Sequence, residues 1–212
     1  MKKYFLIFVI SSILSSCSEN CKVGGFDSNG DLLSDKYFCD RGIVYSVESQ
    51  TPITGTIESY FETGSIDRKP NYKDGLLHGL WTGYYENGQK RGEGTYKEGE
   101  LHGDYTWFDS NGGIQGRGYH KEGLLNGPWK GYHKNGKLKQ KGEFLKGKRE
   151  GPFEEYYEGG ELEGKGSYKE GKRHGPWVVF HKNGNLKIRG SFEYGKPKGN
   201  VENFDQDGDL LN

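Results

Sequence analysis

Residues Gly175 to Gly199 read GPWVVFHKNGNLKIRGSFEYGKPKG, and the reading of this stretch decides the fold. It opens and closes on glycines 24 residues apart, and that spacing runs through Gly55, Gly79, Gly103, Gly127, Gly151, Gly175 and Gly199 without a slip. A fixed period of this size marks a repeat architecture in which each unit is one supersecondary element. Inside the unit, two short runs rich in aromatic and β-branched residues flank Asn183-Gly184. Both turn residues tolerate the positive φ of a type I′ turn, so the unit is expected to be a β-hairpin. A second glycine-bearing turn, Glu98–Gly103 in an earlier unit, leads into the next hairpin.

A two-residue loop also fixes the expected register. In the unit Leu80–Gly103, Glu86 would oppose Gln89, Tyr85 would oppose Lys90, and Trp81 would oppose Gly94. The columns repeat: Ile57, Trp81, Tyr105, Trp129, Phe153, Trp177 and Val201 stand opposite Gly94, Gly118, Gly142, Gly166 and Gly190. A large side chain lying across a cross-strand glycine covers bare backbone, so Trp81, Trp129 and Trp177 with Gly94, Gly142 and Gly190 are read as the structural pairs of the repeat. With a period of two, Trp81 and Tyr96 face the same side as the column Ile66, Ile114, Leu138, Leu162, Leu186, Leu210. The column Tyr60, Tyr84, Phe108, Tyr132, Tyr156, Phe180, Phe204 falls on the other side unless a bulge intervenes. The fold class expected is all-β, an elongated single-layer array of antiparallel β-hairpins. A 28% charged and 31% hydrophobic composition fits a sheet that encloses no thick core.

The phrase FDSNGDLLS at Phe26–Ser34 returns as FDQDGDLLN at Phe204–Asn212. Alternating acids beside a glycine suggest a calcium loop, but an EF-hand needs glycine at position six and glutamate at twelve. Counting from Asp27, those positions are Leu32 and Phe38; from Asp205, position six is Leu210. Both phrases are therefore read as the hairpin turn of the repeat, one in an irregular leading unit and one in a final partial unit.

The pattern GPWxxYxxNGxLxxxGxYxxGKxxG, as it stands in Pro176–Gly199, resembles the MORN repeat in its bacterial variant form. The leading segment RGIVYSVESQTPITG, Arg41–Gly55, is similar to the start of MORN-variant proteins of the YwqK antitoxin family. The resemblance covers residues 41–212 and implies a binding or scaffold role, no enzyme, and an antitoxin label of little defined chemistry.

Lys2 and Lys3 precede an apolar run from Tyr4 to Leu14, which leads into LSSC ending at Cys17. The run is too short to span a bilayer of ~30 Å as a helix, and a charged start with small residues before a cleavage point reads as an export signal. A buried hydrophobic helix is the alternative. LSSC looks like the lipobox of bacterial lipoproteins, which implies a signal peptide over 1–16, lipid on Cys17, and a tether with an irregular leading segment over 17–40. Ser18 follows the lipidated position, which by the lipoprotein sorting pattern favours the outer membrane in a diderm cell. In an oxidising compartment Cys21 and Cys39 would pair as a disulfide, although two cysteines can also stay apart and reduced.

His78, His102 and His174 share one repeat column, but equivalent positions in adjacent hairpins lie two strands, about 9–10 Å, apart. Zinc ligands must sit ~2 Å from one ion, so the column is read as exposed turn residues and no metal or other cofactor is expected. Carboxylate pairs Glu154/Glu155 and Glu161/Glu163 repeat nothing, and no catalytic residue is assigned. Charge is more telling. Pro128–Gly151 carries eight Lys or Arg against Glu143 and Glu150, a net of +6, in a chain whose net charge is 0. A binding surface is expected from Tyr84, Phe108, Tyr132, Tyr156 and Phe180 with Lys134, Lys137, Lys139 and Lys141. The partner expected is a protein or envelope component, with the chain held to the membrane by its N-terminal lipid. The alternatives are an antitoxin or immunity role and a peripheral binder of anionic lipid; the export signal argues against nucleic acid.

Overall fold

The computed structural model describes residues 24–211. The expected signal peptide, Cys17 and Cys21 lie outside the described residues. A small hairpin comes first, β1 (Tyr37–Asp40) with β2 (Ile43–Ser46), joined by Arg41-Gly42. The boundary expected between Asp40 and Arg41 falls in that turn. Short strands β3 (Gly55–Thr56) and β4 (Ser59–Tyr60) both pair with β5 (Ile66–Lys73). Long strands then alternate without interruption: β6 (Leu76–Tyr84), β7 (Lys90–Lys97), β8 (Glu100–Phe108), β9 (Ile114–Lys121) and β10 (Leu124–Tyr132). They continue as β11 (Leu138–Leu145), β12 (Lys148–Tyr156), β13 (Leu162–Lys169), β14 (Lys172–Phe180) and β15 (Leu186–Glu193). The short β16 (Lys196–Pro197), β17 (Glu202–Phe204) and β18 (Leu210–Leu211) follow. Every neighbour pair is antiparallel, and from β5 to β15 the spatial order is the sequence order. Among the described residues β3 to β18 form one open, 16-stranded sheet, with the separate β1–β2 hairpin at its leading end.

The turns are not where the sequence places the type I′ geometry. Glu98 and Gly99, with φ of 51° and 87°, form the two-residue type I′ turn, and Glu122-Gly123, Lys146-Gly147 and Glu170-Gly171 repeat it. Asn87 does not have positive φ. Its loop is three residues long, with Tyr85 N–H donating to the Gln89 carbonyl and Gly88 N–H to the Tyr85 carbonyl. That is a type I turn closed by a glycine bulge. Asn87 Oδ1 accepts the Gln89 N–H, and its Nδ2 donates to the Ser110 carbonyl in the next repeat. A side chain committed at both ends favours the type I form. FDSNGDLLS makes the same loop, with Asp27 Oδ1 accepting the N–H groups of Asn29 and Asp31 and Lys36 bonded to its Oδ2. The Lys36 bond and these backbone donors hold the Asp27 carboxyl down at about 2, so its oxygens serve the turn.

The loop brings a bulge with it. Gly83 opposes Gly92 but Tyr84 opposes Lys90, leaving Arg91 extra. Trp81 still opposes Gly94 as expected, while the leucine column changes sides: Leu138 stands opposite Tyr132, Leu162 opposite Tyr156 and Leu186 opposite Phe180. Directly opposed residues share a face. The expectation that the leucines lie beside Trp81 is therefore corrected, and the extra residue in each second strand is the reason.

The glycines that set the period occupy a second bulge. Gly103 and Gly127 have φ of 114° and 131°, and all their equivalents are positive. The register steps there, from Gly94↔Tyr105 to Tyr96↔Leu101. Only glycine enters that conformation without a steric cost.

One face carries a continuous ladder of rings. Successive centroids lie 6.3 Å (Tyr96–Trp81), 6.1 Å (Trp81–Tyr105), 4.4 Å (Tyr105–Trp107) and 5.3 Å (Trp107–Trp129) apart. The ladder runs on through Phe144, Phe153, Tyr168 and Trp177 at 5.3–6.4 Å. The rings do cover glycines, but those of the preceding hairpin. A Cβ on Gly166 would lie 1.9 Å from Trp177, one on Gly142 2.1 Å from Phe153, and one on Gly94 2.5 Å from Tyr105. Gly190 lies under Val201 in the same way. The expected cover of Gly94 by Trp81 is thus replaced: the side chains lean back across the joint between repeats. Arg149 and Arg173 sit 4.4 Å above the Phe153 and Trp177 rings, and both rings are only 1% exposed.

Candidate binding face

The opposite face is built from the other residues of the same strands. Its centre is a row of direct register partners crossing the sheet: Arg117, Lys130, Lys141, Glu154, Lys165, Val178, Arg189 and Glu202. Along the loop side of this row stand the ring–aliphatic pairs, Phe108 with Ile114, Tyr132 with Leu138, Tyr156 with Leu162 and Phe180 with Leu186, together with Tyr84 opposite Lys90. All five of these rings are half-buried. A cation lies over the ring fifteen residues on: Arg117 at 5.4 Å from the Tyr132 centroid, Lys141 at 5.8 Å from Tyr156, and Arg189 at 5.6 Å from Phe204. The quadrupole of each ring attracts the charge and fixes the side chain across its face.

The expected lysines separate into two kinds. Lys141 Nζ pairs with Glu154 at 2.9 Å, which holds the ammonium's pKa up. Glu154 is held down first by the Tyr156 hydroxyl and then by Lys141. Lys137 is exposed and donates to the Gly159 carbonyl at 2.6 Å. Lys134 in the loop and Lys139, the extra residue of the bulge, are exposed. Arg117, Lys165 and Arg189 belong to the column of Lys141 and were not singled out. Stepping Lys141 by the 24-residue period finds all three.

Other expected groups find structural places. His102 and His174 lie in strands and are half-buried, with rings 6.5 Å from Tyr119 and 5.2 Å from Tyr194. The expectation of exposed turn residues fails because the turn is two residues, Glu98-Gly99, and the strand resumes before His102. Glu154 and Glu155 point to opposite faces, Glu155 lying 3.9 Å from Arg149 on the ladder side. No three His, Cys, Asp or Glu side chains come together as a metal site among the described residues. Cys39 takes part in a disulfide; Cys21, the partner expected for it, lies outside the described residues.

The loop sides of successive repeats are stitched by a column the sequence reading passed over. Tyr85 and Tyr157 hydroxyls donate to the carbonyls of Phe108 and Phe180, and His133 and His181 Nε2 bond those of Tyr156 and Phe204. On the other side each type I′ turn bonds back, as Gly99 N–H does to the Leu77 carbonyl. A face held at both margins keeps its charge spacing fixed from repeat to repeat.

Comparison with known families agrees with this geometry. The sequence pattern described as the MORN repeat variant matches residues 77–98, 101–122, 125–146, 149–170 and 173–194, a little over half of the chain. No curated protein matches it.

Proposed function

The chain belongs to the MORN repeat variant family, whose repeats generally serve as binding and scaffold modules, and from that premise we propose a non-enzymatic binding role exercised by the face opposite the ring ladder. The observation that carries the proposal is the use of the two faces. The ladder face spends its rings on internal packing, with Phe153 and Trp177 1% exposed. The opposite face keeps half-buried rings and exposed lysines in a fixed array. Aromatic rings with Arg in a rigid setting mark a recognition surface, and the exposed lysines add the charge that steers an acidic partner to it. The lipobox resemblance supports a lipid anchor at Cys17, which would hold this array in the cell envelope, at the outer membrane in a diderm cell, facing a protein or another envelope component. Mass spectrometry of the processed N-terminus tests the anchor: a thioether lipid on Cys17 is expected, and an unmodified Met1 start would refute it.

The binding face is tested by affinity capture from native envelopes with the full chain. Comparison is made with a variant carrying Tyr132→Ala, Lys134→Glu and Lys139→Glu. A component retained by the parent and lost from the variant is expected. Identical capture by both, or substrate turnover that the variant loses, would sink the proposal.

A further inference from the structure

The face opposite the ladder carries three shallow depressions built to one plan. The first, about 380 Å³, is lined by Asp104, Thr106, Arg117, Tyr119, Pro128 and Lys130. Adding 24 to each number gives the second, about 400 Å³, lined by Pro128, Lys130, Lys141, Glu143, Pro152 and Glu154. Adding 24 again gives the third, about 410 Å³, lined by Pro152, Glu154, Lys165, Ser167, Pro176 and Val178. Each straddles the joint between two repeats. The floor is the backbone of Gly118, Gly142 or Gly166, whose Cβ direction points to the rings on the other side of the sheet. Adjacent depressions share a wall, Pro128 with Lys130 and then Pro152 with Glu154, so together they form one interrupted groove.

Charge in this groove exceeds what the fold uses. Arg117, Lys130 and Lys141 are consecutive cross-strand neighbours, and like charges directly opposed destabilise a sheet. Glu154 pairs with Lys141 and Glu202 with Arg189. Among the described residues Arg117, which lies over the Tyr132 ring, and Lys130 make no such ion pair, and Lys165 shares Glu154 with Lys141, standing opposite it without a direct contact. A ligand that carries anions offsets the repulsion.

We propose that this groove binds a linear acidic polysaccharide, one anionic unit per depression. The proposal rests on the binding reading above and names its ligand class. The cations at equivalent positions, Arg117, Lys141 and Lys165, stand two strands apart, about 9–10 Å, roughly the length of a disaccharide, so every second carboxylate of a chain with one uronate per sugar meets a cation. Asp104, Glu143 and Glu154 lie among the cations. Carboxylates are acceptor-only when ionised, and they suit a ligand that donates hydroxyl protons as well as accepting from Arg and Lys. A bare polyphosphate offers no such donors and is repelled by these acids. Tyr119, 36% exposed, and the proline rings supply flat apolar surface for the C–H face of a sugar.

The test is affinity electrophoresis of the full chain through gels containing polygalacturonate, with dextran, inorganic polyphosphate and poly-L-glutamate as separate arms. Retardation by polygalacturonate alone is expected, weakening as salt screens the exposed charges. Arg117→Gln, Lys130→Gln and Lys165→Gln should each weaken retention several-fold, on the order of 100-fold together, the size expected for three exposed ion pairs. Lys146→Gln, in a turn beyond the groove, should not. Absence of retardation, equal retardation by polyphosphate or polyglutamate, or indifference to the triple variant overturns the proposal. If the triple variant then still captures the envelope component that the Tyr132 variant loses, the binding role survives and only the ligand class is wrong.

Discussion

A methyl group on Gly166 would stand 1.9 Å from Cε3 of Trp177, and neither the ring nor the strand under it can give way without opening the joint between two repeats. Gly166→Ala is expected to lose about 1–3 kcal/mol, the range for overpacking a filled site, and Trp177→Ala about 3–5 kcal/mol. The two act on one contact, so the double variant should fall short of the sum by at least about 0.5–1 kcal/mol; urea unfolding of the four proteins measures this. His120 is a different case at the same scale. Its ring is buried, with the residue 5% exposed, and packs 5.5 Å from Trp107. Burial pushes its pKa below the ordinary 6.5. The unfolded chain then binds the proton more readily, so stability falls as pH drops through that ordinary value. Replacing His120 with Phe should flatten the unfolding midpoint between roughly pH 7 and 5 relative to the parent. An unchanged slope would show that other groups set the acid sensitivity.

At the scale of the hairpin, the two turns respond oppositely to substitution. Glu98 holds φ of 51°, a conformation that asparagine adopts more readily than glutamate. Glu98→Asn should therefore stabilise by roughly 0.5 kcal/mol. Asn87 has no positive φ to relieve and makes two side-chain bonds, so Asn87→Gly should cost about 1 kcal/mol or more. Shifts of opposite sign in the urea midpoint are expected; a neutral Asn87→Gly would mean that the loop had relaxed to the two-residue form. The sequence shows an Asn-Gly dipeptide between two strand runs, which is the hairpin signal. It does not show which loop length wins. That depends on the Asn87 amide reaching Ser110, a residue of the neighbouring repeat.

At the scale of the molecule, each repeat touches its neighbours and little else, and stability is then close to a sum of units and joints. Deleting Pro128–Gly151 joins Gly127 to Pro152, restoring a pattern that already exists between every pair of repeats. The shortened protein should keep its β circular dichroism and unfold at a lower temperature. Deleting Pro128–Lys139 alone removes half a unit, puts each ring against the wrong glycine, and should abolish the cooperative transition. Retention of that transition would show that the joints are not specific.

The sequence by itself determined the period, the antiparallel hairpins and the identity of FDSNGDLLS as a turn, because these follow from turn residues and a spacing that never slips; the Trp81–Gly94 pair stands as expected only because the longer loop and the extra Arg91 cancel. The tertiary structure decided the bulge at Arg91 and its equivalents, the side taken by the leucines, and the lean of each ring onto the preceding repeat. It also decided that Arg117, Lys130 and Lys141 stand side by side. An extra residue in a strand reverses which face the residues beyond it occupy, and only backbone paired on both sides fixes where that residue sits.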